Sequence, residues 1–189
     1  MIAYKIVERT KKAWLYGGLA LAEGVGLVST PEASEHPPFQ LGGSVVLFGD
    51  ELALGLGTPF RELCEMDWLG LEVSGRRGSK PSEWLDRGWA KKLGGRPAPT
   101  LFLGAFQWPS SAPDAAMRAI EHVVEASGPV LWLAPPWAAE ASRAMELRQR
   151  PPHGVFCADA LDIPLGPDGR QPTAMGYAGW AGALWKWLA

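Results

Sequence analysis

Residues 44–57 read Ser-Val-Val-Leu-Phe-Gly-Asp-Glu-Leu-Ala-Leu-Gly-Leu-Gly, and this stretch limits the possible folds more than any other. A short apolar run, Val45–Phe48, stops at Gly49-Asp50, and a glycine-punctuated segment then leads to Thr58-Pro59 and a helical pattern. The pattern predicts a buried strand, a tight turn and a helix. In α/β folds such a turn lies at the carboxyl end of a strand, where ligands bind. Asp50 and Glu51 are therefore the first candidate site residues.

From Leu41 onward, strand and helix patterns alternate, which predicts a parallel sheet covered by helices on both faces. Strands are expected at Val45–Phe48, Leu69–Val73, Thr100–Leu103, Val130–Leu133 and Gly154–Cys157. Between the first two, Pro59–Met66 reads as a helix, with Thr58 as cap and Pro59 in its first turn. Pro81–Leu93 places Leu85, Trp89 and Leu93 on one helical face and ends at Gly94-Gly95. Ala112–Ser127 follows Ser111, carries Asp114 at capping spacing, and presents Met117, Ile120 and Val124 together. Trp137–Gln149 and Pro172–Leu188 complete the helices, the last turning Tyr177, Trp180, Leu184 and Trp187 inward. The expected architecture is a flavodoxin-like three-layer α/β/α sandwich with five parallel strands.

This domain occupies residues 41–189, and residues 1–40 form an N-terminal arm and Pro-rich linker. Within the arm, Ala13–Val28 is apolar but contains Glu23 and four glycines, and it is short for a membrane span. An arm packed on protein is expected, with a membrane anchor as the alternative.

A chain of 189 residues suits one domain of that size beside an arm. Its 18 basic and 20 acidic residues are mixed along the sequence, with no basic stripe to draw a phosphate backbone, so nucleic acid is not an expected partner. Cys64 and Cys157 have neither zinc-ligand nor disulfide-scaffold spacing, and no metal or cofactor is expected. Ten tryptophans exceed what such a core needs, so some are expected to face a partner or a second copy of the chain.

Four blocks in order resemble the SGNH (GDSL) hydrolases, over roughly Leu41–Ala189. Gly49-Asp50-Glu51-Leu52 resembles the first block, in which the family has Gly-Asp-Ser-Leu with a nucleophilic serine; here that position is Glu51. Gly75-Arg76-Arg77-Gly78-Ser79 resembles the second, with Gly78 matching the glycine whose N–H lines the oxyanion hole. Gly104-Ala105-Phe106-Gln107 falls where the family has Gly-Thr-Asn-Asp, so the oxyanion-hole asparagine corresponds to Phe106. Pro167-Asp168-Gly169-Arg170-Gln171-Pro172-Thr173 resembles the Asp-x-x-His block, with Gln171 in place of the histidine. The resemblance thus implies a site from which nucleophile, base and one donor are missing together. Glu51 has no base, Gln171 does not shuttle protons near neutral pH, and Asp168 has no imidazole to orient. None of the three histidines restores the set: His153 precedes the fifth strand, His122 lies on a helix, and His36 is in the linker.

Polar and aromatic residues expected at the same sheet edge include Arg76, Arg77, Ser79, Gln107, Trp108, Ser110, Trp137, Asp159 and Asp162. In one reading Trp108 and Trp137 are stacking platforms in a glycan-binding cleft; in the other Arg76 or Arg77 neutralises Glu51 in a vestigial pocket. A glycosidase pair of Glu51 and Asp168 has no spacing argument behind it. The sequence therefore points to a catalytically inactive SGNH-like domain with a structural or binding role in a larger assembly, such as a virion or other extracellular particle. A divergent esterase acting on acylated glycans and a carbohydrate-binding module stand as alternatives.

Overall fold

The computed structural model describes residues 43–107, 115–135, 153–157 and 163–188. The apolar runs form five strands: β1 (Ser44–Gly49), β2 (Gly70–Gly75), β3 (Thr100–Ala105), β4 (Val130–Ala134) and β5 (Gly154–Cys157). All neighbours pair in parallel, in the order β2-β1-β3-β4-β5. This is the flavodoxin-like order, and it reverses beside β1, so the crevice between the carboxyl ends of β1 and β3 is the switch point where such folds build sites.

Alternation along the strands feeds two cores. Val45 and Leu47 join Leu101, Leu103, Leu131 and Leu133 under α1 (Glu51–Met66) and the carboxyl-terminal helix; Val46 and Phe48 join Phe102, Val130 and Trp132 on the opposite face. That second face is covered by α2 (Pro81–Asp86), α3 (Trp89–Gly94) and α4 (Ala115–Val124), whose Met117, Ile120 and Val124 are buried together as their spacing predicts. The last helix, α5 (Ala174–Leu188), packs along α1.

Three helices differ from expectation. α1 starts at Glu51 rather than Pro59, because the Asp50 carboxylate caps it by accepting the Leu52 N–H at 2.8 Å. Gly55 and Gly57 each weaken a helix by roughly 1 kcal/mol relative to alanine. Tertiary contact explains them: a Cβ on Gly55 would lie 2.2 Å from the Tyr177 ring, and one on Gly57 would lie 3.1 Å from Val73. Pro59 sits inside the helix at the cost of one backbone hydrogen bond. The predicted Pro81–Leu93 helix is broken at Gly88, where φ is +68°, and Trp84 becomes the buried anchor while Leu85 and Trp89 only flank the core. In α5, Trp185 is buried, whereas Tyr177 and Trp187 pack at the core's margin.

Trp84, Trp132, Trp180 and Trp185 are core residues, so the tryptophan surplus is partly structural. Trp68, at 93% exposure, faces solvent. Cys64 is buried, Cys157 is half-buried, and neither is in a disulfide. No helix among the described residues is long and apolar enough to cross a membrane. The arm with Ala13–Val28 and His36, the Ser111 and Asp114 caps, and the Trp137–Gln149 helix lie outside the described residues.

Candidate functional site

At the end of β1 the chain is held from both sides: the Asp50 N–H donates to the Ala105 carbonyl (3.1 Å) and the Arg76 N–H donates to the Gly49 carbonyl (2.8 Å). Gly49 is required here. Its φ is +146°, and a Cβ would sit 1.7 Å from the Ala105 oxygen. The Asp50 side chain then ties the start of α1 to the end of β3, accepting the Leu52 N–H through Oδ1 (2.8 Å) and the Gln107 N–H through Oδ2 (2.6 Å). Only 3% of Asp50 is exposed. Burial pushes its carboxyl up to about 6, with the neighbouring Glu51 charge adding to the rise and the two backbone N–H bonds opposing it.

Glu51 is the first residue of α1, where the helix dipole favours a carboxylate. Its two oxygens are bound by two different loops: Oε2 accepts the Gly78 N–H at 2.7 Å, and Oε1 accepts the Gln107 Nε2–H at 2.8 Å. The loop that carries Gly78 is itself fixed. Ser79 N–H donates to the Arg76 carbonyl (3.0 Å), and Ser79 Oγ accepts the indole N–H of Trp84 (3.0 Å) while reaching the Gly49 carbonyl at 3.5 Å. The result is a carboxylate held by two neutral N–H donors at the switch point.

Two expected members of the site lie elsewhere. Phe106 is 1% exposed and packs in an aromatic cluster with ring centroids 5.9 Å from Phe48, 6.0 Å from Trp84 and 6.3 Å from Trp132. Alternation past the end of β3 turns Phe106 toward that core and Gln107 toward Glu51, so the amide donor comes one residue later than the block comparison implies. Arg76 does not neutralise Glu51 either: its guanidinium lies over Trp89, 5.3 Å from the ring centroid, with Arg87 at 5.4 Å from the same ring. Arg77 is exposed.

Asp168 and Gln171 form a loop of their own. The Asp168 carboxylate accepts the N–H groups of Arg170 and Gln171, both at 3.0 Å, and these bonds hold its carboxyl below the usual range. Both residues are exposed, and the Gln171 carbonyl accepts the Gly166 N–H at 2.7 Å. Tyr177 links the two regions. Its ring lies against Gly55 of α1 and its N–H donates to the Thr173 carbonyl at 2.9 Å, while burial, followed by the charges of Asp50, Glu51 and Asp168, pushes its phenol up to about 12. Tyr177, expected to face inward, packs at the margin of the core, and its exposed side also lines a groove that the sequence did not announce. The groove, of about 470 Å³, runs between α1 and α5, lined by Gly55, Thr58, Pro59, Glu62, Pro172 and Ala174 as well as Tyr177.

His153 is at the amino end of the sheet, its Nδ1 accepting the Val130 N–H at 3.1 Å, and His122 is on the surface of α4, 3.5 Å from the Glu125 carboxylate. Neither reaches the site. Trp108, Ser110, Trp137, Asp159 and Asp162 lie outside the described residues. Among the described residues, no group of His, Cys, Asp and Glu side chains has the arrangement to hold a metal ion.

No protein-family model matches the sequence, and no curated protein matches it. The structure does match a solved structure described as "a putative SGNH hydrolase from Slackia heliotrinireducens", with a TM-score of 0.55 and 16% identity over 78% of this chain and 100% of that one. At that identity the likeness establishes the fold. The domain has an SGNH-hydrolase-like fold, as the order of the four blocks implies.

Proposed function

We propose that this domain keeps a hydrolase-type fold without hydrolase chemistry, and serves in binding or assembly. The observation that carries the reading is the bonding of Glu51. Acyl transfer needs a hydroxyl or thiol nucleophile, a base beside it, and N–H donors free to receive an oxyanion. Here the residue at the nucleophile position is a carboxylate, and that carboxylate already occupies the Gly78 N–H and the Gln107 amide. A substrate carbonyl arriving at the switch point would have to displace an internal anion from both donors. The aspartate that would orient a base instead bonds to the backbone of its own turn.

The test is hydrolysis of short-chain aryl esters and acetylated sugars by the purified full-length chain. Turnover no higher than that of Glu51→Ala is expected. Turnover that is abolished by Glu51→Ala or by Asp168→Ala would contradict the proposal and favour a divergent esterase.

A further inference from the structure

We propose that the outer edge of β2 is a self-association surface, on which a second copy of the chain adds its own β2 in antiparallel register across a two-fold axis at Val73. This proposal stands apart from the reading of the Glu51 site, since it rests on a different set of backbone groups.

β2 ends the sheet, and among the described residues no strand pairs with its outer side. At six residues it is as long as the inner strands β1 and β3. Edge strands in proteins are usually blunted by shortness, proline, bulges or inward charge, because their free N–H and C=O groups otherwise recruit another strand. β2 has no proline or bulge. Its one charged residue, Glu72, is paired with Arg96.

The backbone indicates which residues face outward. Arg76 turns its N–H to the Gly49 carbonyl on β1, so alternation turns the groups of Ser74 and Glu72 the same way and those of Gly75, Val73 and Leu71 toward the open side. In an antiparallel pair, residues opposite one another lie on the same face of the sheet. A two-fold axis between copies therefore has to fall on a residue of β2. Centring it on Glu72 would oppose two like charges, which is destabilising. Centring it on Val73 opposes two valines, sets Glu72 against the partner's Ser74, and sets Leu71 against the partner's Gly75. Both of the last two pairs occur twice by symmetry.

Two exposed side chains fit this register. Leu54 is 38% exposed and lies over Gly75, where a Cβ would be 2.4 Å from its Cγ; the partner's Leu71 would cover it. Trp68 is 93% exposed and holds φ at +59°, the left-handed conformation that non-glycine residues avoid. The register brings its indole to the partner's Arg76–Gly78 loop, where Gly78 has open space on its Cβ side and the exposed Arg77 offers cation–π contact. Each copy would thus place a tryptophan at the rim of the other's switch point.

Sedimentation of the full-length chain over a range of concentrations is expected to show a dimer. Val73→Pro removes an outward N–H and leaves the ladder to β1 intact, so it should give a monomer with unchanged circular dichroism. Trp68→Ala should raise the dimer dissociation constant at least tenfold. Under mild oxidation, a mixture of Glu72→Cys and Ser74→Cys chains should form a covalent dimer and neither variant alone should, with the unsubstituted chain as control for Cys64 and Cys157; the 72/74 pair across the axis is a non-hydrogen-bonded one, with Cα atoms about 4.5 Å apart and within disulfide range. The cysteine pair decides the matter even if the proline variant does not fold. A monomer at all concentrations, as when another segment of the chain covers β2, would overturn the proposal. So would a dimer that survives Val73→Pro, or cross-linking of Glu72→Cys chains with one another.

Discussion

At the β1–α1 turn, Asp50 and Glu51 reach across the fold, bonding to the end of β3 and to the loop after β2. In the Pro167–Thr173 loop, Asp168 bonds to N–H groups two and three residues along its own chain. Each region carries a carboxylate, and Tyr177 touches both, its ring against Gly55 of α1 and its N–H on the Thr173 carbonyl. The first has been absorbed into the scaffold; the second is a self-contained turn facing solvent. A working nucleophile and base must bond to each other, and here each half has found other partners. On the proposed reading the contrast has a simple basis: the contacts that hold the β1 turn in place are the same contacts that occupy the Glu51 carboxylate, the Gly78 N–H and the Gln107 amide.

The largest effect is expected where the two regions are compared through glycine. Gly49→Ala would drive a Cβ to 1.7 Å from the Ala105 oxygen, backbone against backbone, in a conformation that side chains rarely adopt. A loss of about 4 kcal/mol or more is expected, most of the stability of a marginal domain. Gly169→Ala, in the second region, has a φ of +64° but open space around it. It should cost about 1–2 kcal/mol, the ordinary penalty of a left-handed residue. Urea denaturation of the two variants measures the difference. Equal losses would remove the distinction between a scaffolded turn and a free one.

A somewhat smaller effect concerns pH. Asp50 has its folded value raised to about 6 from 3.8, so the native state holds the extra proton between those values. The stability linked to that proton is full below about 3.8 and is lost as pH rises through 6. Relative to Asp50→Asn, which does not titrate, the wild-type chain should lose about 2 kcal/mol between pH 4 and pH 7. Asp168 works in the opposite sense: its value is lowered, so what it contributes is present above its unfolded value and is lost on acidification. Its full exposure makes that contribution small. Urea midpoints across this pH range, for wild type, Asp50→Asn and Asp168→Asn, separate the two. A wild-type curve parallel to that of Asp50→Asn would show that Asp50 is not held in a desolvated site.

The sheet was legible in the sequence chiefly because β1, β3 and β4 are near-continuous apolar runs, as strands buried on both faces must be. Val45–Phe48 and Gly154–Cys157 could be read by eye. The start of α1 was not, since two glycines and a proline argue locally against a helix there, and the contacts that overrule them come from Tyr177 and Val73, far along the chain. The same limit applies to the site. Block order placed Glu51 and Gly78 together, and they are hydrogen bonded. It placed Phe106 beside them as well, because matching residues by position does not reveal which face a side chain takes beyond the end of a strand. Gln107 was recognised as a polar residue of that edge, yet nothing in its spacing announced a bond to Glu51. The preference of Arg76 for the Trp89 ring over the Glu51 carboxylate was likewise beyond reach, since both partners are near in space and only geometry chooses between them.

The account turns on the Glu51 carboxylate filling the donor pair, and the Gly78 backbone amide reports on this directly. In proton–nitrogen correlation spectra of the wild-type chain, this amide should be shifted downfield by a short charge-assisted bond and protected from exchange with solvent. In Glu51→Ala, both features should be lost, the Gln107 side-chain amide should move with it, and the resonances of Arg170 and Gln171 should stay in place. A Gly78 amide that is unshifted and freely exchanging in the wild-type chain, or that does not respond to Glu51→Ala, would contradict the account.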